Sequence, residues 1–527
     1  MSLSAAVNAL QFSGIDDIHF NVVNGADRTS RTWYNCTGSS RDRGSAPLGF
    51  QPFPFSLVEE LGPLAATANI SLLPVITSLD IPTDPHITSA YNITDSSFQF
   101  PADGHDWVRA FGDRVPDPLR PEVQKFMRDL VVEAAKACAS QPAVRGIGVR
   151  VNGKIGFGYI AWQGTAKNGS TLLYPAKMAG YSAWNVAQFA AASGVSVPDE
   201  TNAYTWLSAD PVKWKAWLDY RCRSTVQFWA RMADEVRAVR ADWKLHIITD
   251  LPAEVPATNV QWPGPDDPAA AATAKELLRA HGFDPTLWSG DEASGLVVER
   301  TMMTDADEFW AKWGPPWGTN PSRYRDFHEQ TSVLPLYSNT AAGGDGEVVT
   351  SVYSNYWETP FWPQGEFGIL ADGSGLRTVT ASQGSRGMFR ALCFAMRRAN
   401  STTLSLMAWD RATLGHEHDV RRFAAAYRAL PIAPAKVAAQ LDLGYATLTA
   451  VTATASPDIG DDLWFASFGD HHLAVMNDGI HSTECVCLIL LLTQPFHKET
   501  ISSEQVPPRL WKWSCPCLPQ SRVAWWW

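Results

Sequence analysis

Glu358 closes the segment Val348–Pro360 (VVTSVYSNYWETP), a β-branched run that stops at an aromatic residue, Trp357, and a carboxylate. A buried strand that ends on a Glu beside aromatic rings is how a (β/α)8 barrel offers a catalytic acid to a sugar. Glycoside hydrolysis needs a second carboxyl group across the scissile bond, roughly 5–5.5 Å away for retention and 6.5–9.5 Å for inversion. Two residues can supply it. Asp250 ends the apolar run IITDLP, where a helix cap or loop turn is the competing role. Glu299 lies inside GLVVERTMM beside Arg300, where a salt bridge within the barrel or a substrate clamp competes with proton donation. Asp410 follows Trp409 and suits either hydroxyl binding or helix capping. His19, on the first apolar strand, either points into the barrel mouth or packs as a hydrogen-bonded core histidine. Tyr353, Trp357 and Trp409 have the flat faces that stack on sugar C–H surfaces.

Other chemistries find no foothold in the sequence. His416 and His418 in the HEH stretch are two residues apart at the start of a helix, so they do not share a face for a metal. Asp291 and Glu292 fall in the loop before a strand, at the wrong end for a barrel mouth. There is no G-x-S-x-G elbow, no H-E-x-x-H pair and no Gly-rich phosphate loop after a strand. The expectation is a reaction that needs neither metal nor cofactor.

These residues need a scaffold, and the hydrophobic periodicity supplies one. Strands are predicted at Asp17–Val23, Ile70–Thr77, Arg145–Asn152, Leu245–Asp250, Gly295–Met303, Val348–Tyr356 and Thr402–Trp409. Helices fall between them at 56–68, 120–139, 210–240, 269–281, 324–330 and 387–399, and a last one covers 417–430. The helix over 210–240 is the clearest, with Asp210 able to cap it and Pro211 suited to its first turn. Seven apolar strands alternating with helices imply a parallel sheet covered by helices. A helix-like segment precedes the first strand, where a first βα unit would end. The expected fold is therefore an α/β (β/α)8 barrel over residues 1–435 whose first strand is missing, with a doubly wound open sheet as the rival.

After Pro431 short strands at 445–455, 463–468 and 472–477 read as the start of a β-sandwich over 436–480. Residues 481–527 show no periodicity and read as an irregular tail, and its C-x-C pairs (Cys485, Cys487, Cys515, Cys517) are not arranged like a zinc ribbon. The run CLILLLT at 487–493 is far too short to span a membrane. Cys138, Cys222 and Cys393 fall on predicted helices and read as buried free thiols.

The 527 residues carry a net charge of −11, which disfavours nucleic acid and anionic membrane as partners. The chain holds 23 Trp, 23 Phe and 13 Tyr, a richness that fits either a carbohydrate partner or the filling of gaps between helices and barrel. N-x-S/T sequons occur at Asn35, Asn69, Asn92, Asn168 and Asn400, more than the roughly two that chance gives, and hint at secretion. The first residues, MSLSAAVNALQFSG, do not read as a secretory signal.

Residues 181–245 carry a resemblance. YSAWNVAQFAAASGVSVP followed by WKAWLDYRCRSTVQFWARMADEVRAVRADWKL is similar to the region after the fourth strand in family 42 β-galactosidases and allied barrel glycosidases. LMAWDRATLGHEHDVRRFAAAYRALP, ahead of a sandwich, resembles the end of the barrel in glycoside-hydrolase-like proteins. The resemblance implies a nucleophilic Glu at the end of strand seven, where Glu358 stands once a missing first strand is counted. It also implies an Asn-Glu pair at the end of strand four. The chain reads Asn152-Gly153-Lys154, so the Asn is present and the acid is not. Two functions follow as expectations: hydrolysis of O-glycosidic bonds in an oligo- or polysaccharide, or carbohydrate binding by an inactive relative.

Overall fold

The computed structural model describes residues 3–24, 57–76, 89–94, 97, 117–151, 180–198, 202–249, 276, 279–280, 282–288 and 294–303, together with the short strands and the one helix outside these ranges that are named below. The chain divides into two compact units. The first comprises Met1–Gln11, Asp16–Thr301 and Trp313–Val349; the second comprises Phe12–Ile15, Met302–Lys312 and Thr350–Trp527.

The first unit begins with α1 (Leu3–Phe12), β1 (Asp17–Asn24), the short β2 (Thr32–Trp33) and β3 (Gln51–Pro52), α2 (Leu57–Thr67) and β4 (Ser71–Ile76). It continues through α3 (Pro121–Cys138), β5 (Gly146–Val151), the hairpin β6 (Trp162–Thr165) and β7 (Thr171–Tyr174), α4 (Ala183–Ser193) and α5 (Ala203–Ser208). It goes on through α6 (Pro211–Val239), β8 (Lys244–Thr249), α7 (Pro285–Trp288) and β9 (Leu296–Met303), whose last two residues are counted with the second unit. The predicted helices at 324–330 and 387–399 lie outside the described residues, as does most of that at 269–281.

Local chemistry sets the helix ends. The Asp210 carboxylate accepts from the backbone N–H groups of Val212 at 2.9 Å and Lys213 at 3.4 Å, and Pro211 fills the first turn of α6, where its missing N–H costs nothing. Ser182 caps α4 by accepting from Asn185 N at 3.3 Å, and Gly194 ends it in the left-handed conformation, φ 71°. Pro121 opens α3 in the same way as Pro211 opens α6.

β1, β4, β5, β8 and β9 pair in parallel, each with the next along the chain. A doubly wound sheet must reverse its strand order at a switch point, and these five strands do not. Among the described residues the run from β1 to β9 therefore follows chain order, while β2 and β3 lie on the far side of β1.

Side chains alternate across the strands, and both faces are buried. Leu72 and Ile76 of β4, Ile147 and Val149 of β5, Leu245 and Ile247 of β8, and Leu296 and Val298 of β9 join one core with Val58 and Leu61 of α2, Phe126 and Leu130 of α3, and Trp229 and Met232 of α6. Trp217, Trp229, Trp243 and Trp288 are all buried, so at these positions the aromatic richness fills the interior. The alternate residues, Leu73, Val75, Ile248 and Val297, are equally buried yet stand outside that helix-facing core. A parallel sheet apolar on both faces must be covered on both.

Gly148 shows how tightly the second face is packed. A Cβ there would lie 2.9 Å from Val75 Cγ2, 3.2 Å from Leu73 Cδ2 and 3.4 Å from Ile248 Cδ1.

The second unit holds β10 (Val349–Tyr353), neighbour to β11 (Thr403–Met407), and α8 (Glu417–Arg428). Beyond them come β12 (Ala435–Ala438), β13 (Gln440–Asp442), β14 (Thr447–Thr449), β15 (Leu463–Phe468), β16 (His472–Asn477) and β17 (Cys487–Leu491). β12, β15, β16 and β17 form a four-stranded antiparallel sheet, and β13 pairs with β14. β17 falls within residues 481–527, which the sequence reads as an irregular tail; the rest of that segment lies outside the described residues. A continuous apolar run lacks the period of two that marks a half-exposed strand, so pattern reading passes over it; its pairing with β16, Met476 opposite Cys487 and His472 opposite Leu491, identifies it. One correction concerns Cys138, which is disulfide-bonded and not a free thiol, whereas Cys222 is free and buried as expected.

The packing of the second face is testable. Gly148→Val should destabilise the first unit by about 1–3 kcal/mol through overpacking against Val75 and Leu73. Denaturant unfolding followed by tryptophan fluorescence measures this, and a neutral substitution would mean that the second face is open.

Candidate functional site

On the second face, β1, β8 and β9, together with the residue that precedes β5, bring polar side chains to one place. β1 contributes Asp17 and His19, which have the same parity. Arg145 stands directly before β5, His246 is the third residue of β8, and Glu299 lies in β9. Glu299 is fully buried and His246 is 1% exposed.

Arg145 holds the cluster together. Its Nη2 donates to Asp17 Oδ2 at 2.5 Å and its Nε to Asp17 Oδ1 at 3.0 Å, a two-pronged pairing that suits a planar guanidinium. Its Nη1 lies 2.7 Å from His246 Nε2. A guanidinium only donates, so His246 Nε2 accepts and the ring proton belongs on Nδ1. That Nδ1 lies 2.8 Å from Glu299 Oε1, to which it donates. Glu299 is also 3.6 Å from Arg145 Nη2 and 3.6 Å from His19 Nδ1. His19 Nε2 lies 2.9 Å from Asp17 Oδ2.

Two carboxylates against one guanidinium leave an excess negative charge, and His19 answers it. Burial alone would lower the His19 pKa, but the Glu299 and Asp17 carboxylates outweigh burial and raise it above its ordinary 6.5. Burial pushes Glu299 upward, yet His19, the His246 hydrogen bond and Arg145 overcome that and hold it down at about 2. Asp17 is likewise held below the usual carboxylate range, burial being outweighed by its bonds to His19 and Arg145. With His19 protonated and His246 neutral, the charges of the cluster sum to zero. A buried ionic cluster needs that balance.

The cluster sits low on the sheet. Asp17 opens β1 and Arg145 precedes β5, while the strands run on to Thr249 in β8 and Met303 in β9. At roughly 3.3 Å per residue, His246 lies about 10 Å short of the C-terminal end of its strand. Glu299 is therefore an ionised, paired carboxylate below the strand ends. His19 is a packed, hydrogen-bonded histidine. Among the described residues no group of three or more His, Cys, Asp or Glu side chains could hold a metal ion, and here the Arg145 guanidinium occupies the centre.

A second buried carboxyl, Asp117, precedes α3. It accepts from Leu119 N at 3.0 Å and from Asn185 Nδ2 at 2.5 Å, and Asn185 Nδ2 also donates to Gly180 O at 3.0 Å. Burial pushes Asp117 up to about 6, against the pull of those hydrogen bonds. Its bond ties the start of α3 to α4, beside the aromatic cluster of Tyr181, Phe189 and Trp217.

Of the residues singled out in the sequence, the structure brings Glu299 and His19 together. Tyr353 ends β10. Asn152, Asp250, Trp357, Glu358, Trp409 and Asp410 lie outside the described residues. Sequence reasoning passed over Asp17, Arg145 and His246. Asp17 shares parity with His19 two residues on, and His246 interrupts the apolar run LHIIT with the parity of Glu299's face, a signal that an alternation count could have found. Arg145 carries no such mark, because it stands outside the strand.

Comparisons with solved structures find distant similarities. The PgaB (BpsB) glycoside hydrolase domain of Bordetella bronchiseptica is similar with a TM-score of 0.47 and 11% identity, over 80% of this chain and 92% of that one. A β-galactosidase from Halorubrum lacusprofundi follows at TM-score 0.43 and 11% identity, over 81% of this chain and 56% of that one. An α-amylase from Geobacillus thermoleovorans gives 0.37 and 10%, over 90% and 80%. These neighbours are glycoside hydrolases. The chain spans little more than half the length of the β-galactosidase it matches. No protein-family model matches the sequence, and neither does any curated protein.

The network makes a signed prediction. The stabilisation from Glu299 and Asp17 is present above their ordinary values, 4.5 and 3.8, and is lost as pH falls through their lowered ones. That from His19 is present below 6.5 and is lost as pH rises through its raised value. Glu299→Gln should cost about 3–5 kcal/mol, because it leaves buried cations without their partner. Chemical unfolding of both proteins across pH checks this: the difference between them should be greatest between pH 4.5 and 6.5 and should shrink on either side. A difference independent of pH would contradict the charge assignment.

Proposed function

We propose that the chain is a glycosidase-like (β/α)8-barrel protein that hydrolyses O-glycosidic bonds of an oligo- or polysaccharide, with a partial β-sandwich after the barrel. The observation that supports this is the winding of the sheet. Five parallel strands follow one another in chain order with both faces buried, as in a barrel. In such a barrel the chemistry lies beyond the C-terminal strand ends. The sequence places Asn152 directly after β5, Asp250 directly after β8, Glu358 after β10, and Trp409 with Asp410 after β11.

In this proposal Glu358 is the nucleophile or base and Asp250 the proton donor, while Asn152, Tyr353, Trp357, Trp409 and Asp410 shape the sugar subsite. Glu299, ionised and buried, serves as a stabiliser: with His19, Asp17, Arg145 and His246 it forms the polar floor below the mouth. The network is internally neutral, and its part in this proposal is to hold β1, β5, β8 and β9 in register below the mouth. The proposed partner is a carbohydrate, without nucleic acid, membrane or cofactor. Among the described residues no helix is long and apolar enough to cross a membrane.

One observation favours a second reading. Gly153 stands where the resemblance leads one to expect the acid, so the barrel could bind a glycan without cleaving it. A panel of aryl glycosides separates the two. Turnover that is abolished in Glu358→Gln, with an unchanged fold by circular dichroism, supports the hydrolase. Full activity in that variant removes Glu358 from the chemistry, and oligosaccharide binding without turnover establishes the binder.

A further inference from the structure

Two sequons fall within the described residues, and both occupy the same kind of place. Asn69 follows α2 in the left-handed conformation, φ 55°, and its side chain is exposed. Ile70 N donates to Ala65 O at 2.8 Å and Asn69 N to Ala66 O at 3.2 Å, the paired bonds of a Schellman helix ending. Asn92 ends a short turn at φ 56° and is also exposed, its backbone N–H donating to Ser89 O at 3.3 Å. Its neighbours anchor it. Tyr91 packs edge-on against Phe126 with centroids 5.3 Å apart, and Ile93 is buried, so the chain is fixed on both sides of the Asn.

A left-handed turn accounts for an Asn at each position. It does not account for the hydroxyl residue two places on, Ser71 in one case and Thr94 in the other. The buried Cys138 is disulfide-bonded, and such bonds form and persist in oxidising compartments such as the secretory lumen, where sequons are read. Asn69 directly precedes Ile70 and β4, so it lies at the N-terminal end of the sheet, opposite the strand ends where a sugar site would open.

We propose that Asn69 and Asn92 are N-glycosylation sites of this protein. The amide nitrogen Nδ2 bonds to the anomeric carbon of an oligosaccharide carried on a lipid diphosphate. The bond from that carbon to the phosphate oxygen breaks, the lipid diphosphate leaves with the electron pair, and the amide gives up one proton. A transferase of the secretory membrane brings donor and acceptor together, before the chain has folded. The folded structure then leaves each glycan in water, since both side chains face outward.

The test is to translate the full chain behind a secretion leader in the presence of endoplasmic-reticulum microsomes. The product is then released with peptide N-glycosidase in heavy-oxygen water and its peptides are sequenced by mass spectrometry. The expected result is Asn69 and Asn92 each recovered as a heavy-labelled Asp, with one step of gel mobility lost in each of Asn69→Gln and Asn92→Gln. Ser71→Ala and Thr94→Ala should abolish the same labels with the Asn still in place. Because transfer precedes folding, a variant that folds poorly still reports. Recovery of both positions as unlabelled Asn from chains with a protected, translocated lumenal domain would overturn the proposal.

Discussion

Two carboxylates on one face of a parallel sheet, Glu299 fully buried and Asp17 largely so, are the constraint around which this structure is organised. An isolated buried carboxylate is costly, and the cost is met only by paired and hydrogen-bonded cations. Asp17 and Glu299 come from opposite flanks of the five-strand array, so what satisfies them must reach between the strands. Arg145 does this for both, with bonds to Asp17 on one side and His246 on the other, while His246 passes a hydrogen bond on to Glu299. His19 supplies the second positive charge. The identity of each member follows from the others: a neutral His246 is needed to accept from one group and donate to the next, and a charged His19 to balance the sum.

That arrangement bears on function by separating two layers of the sheet. The lower layer is the ion network, fixed and internally neutral. The layer at the C-terminal strand ends is where Asp250 and Asn152 follow their strands in sequence. The network fixes the strands to one another, and in the proposed function it is the support on which the strand ends rest. Glu299 therefore belongs to the fixed network below the strand ends.

Much of the fold was legible in the sequence because its signals are local. The Asp210-Pro211 start of α6, the apolar stripe of α3 and the apolar strands β1, β4, β5, β8 and β9 each carry their own pattern, and the structure places them within a residue or two of where that pattern does, whereas the strand read at 445–455 is described only over Thr447–Thr449. Gly194 ends α4 for the same local reason. The site was less legible. Glu299 and His19 stand out as polar residues in apolar strands, but their partner Arg145 lies 128 positions from Asp17 and 101 from His246 and has no strand parity to betray it. Nor could the pattern of Glu299 next to Arg300 reveal that its counter-ions come from other strands. β17 went unread because a run apolar at every position has no period, and Cys138 because a thiol and a half-disulfide look alike in sequence.

The central claim is that Asp17 and Arg145 join the first strand to the third across a buried face, within one coupled network. A double-mutant cycle with Asp17→Asn, Arg145→Met and the double variant measures that coupling directly, with stability taken from denaturant unfolding at pH 6. The account predicts a coupling energy of about 1–3 kcal/mol, the double variant being far less destabilised than the two single changes together. Additive effects would mean that the two groups do not meet in the folded protein, and the network would fall with them.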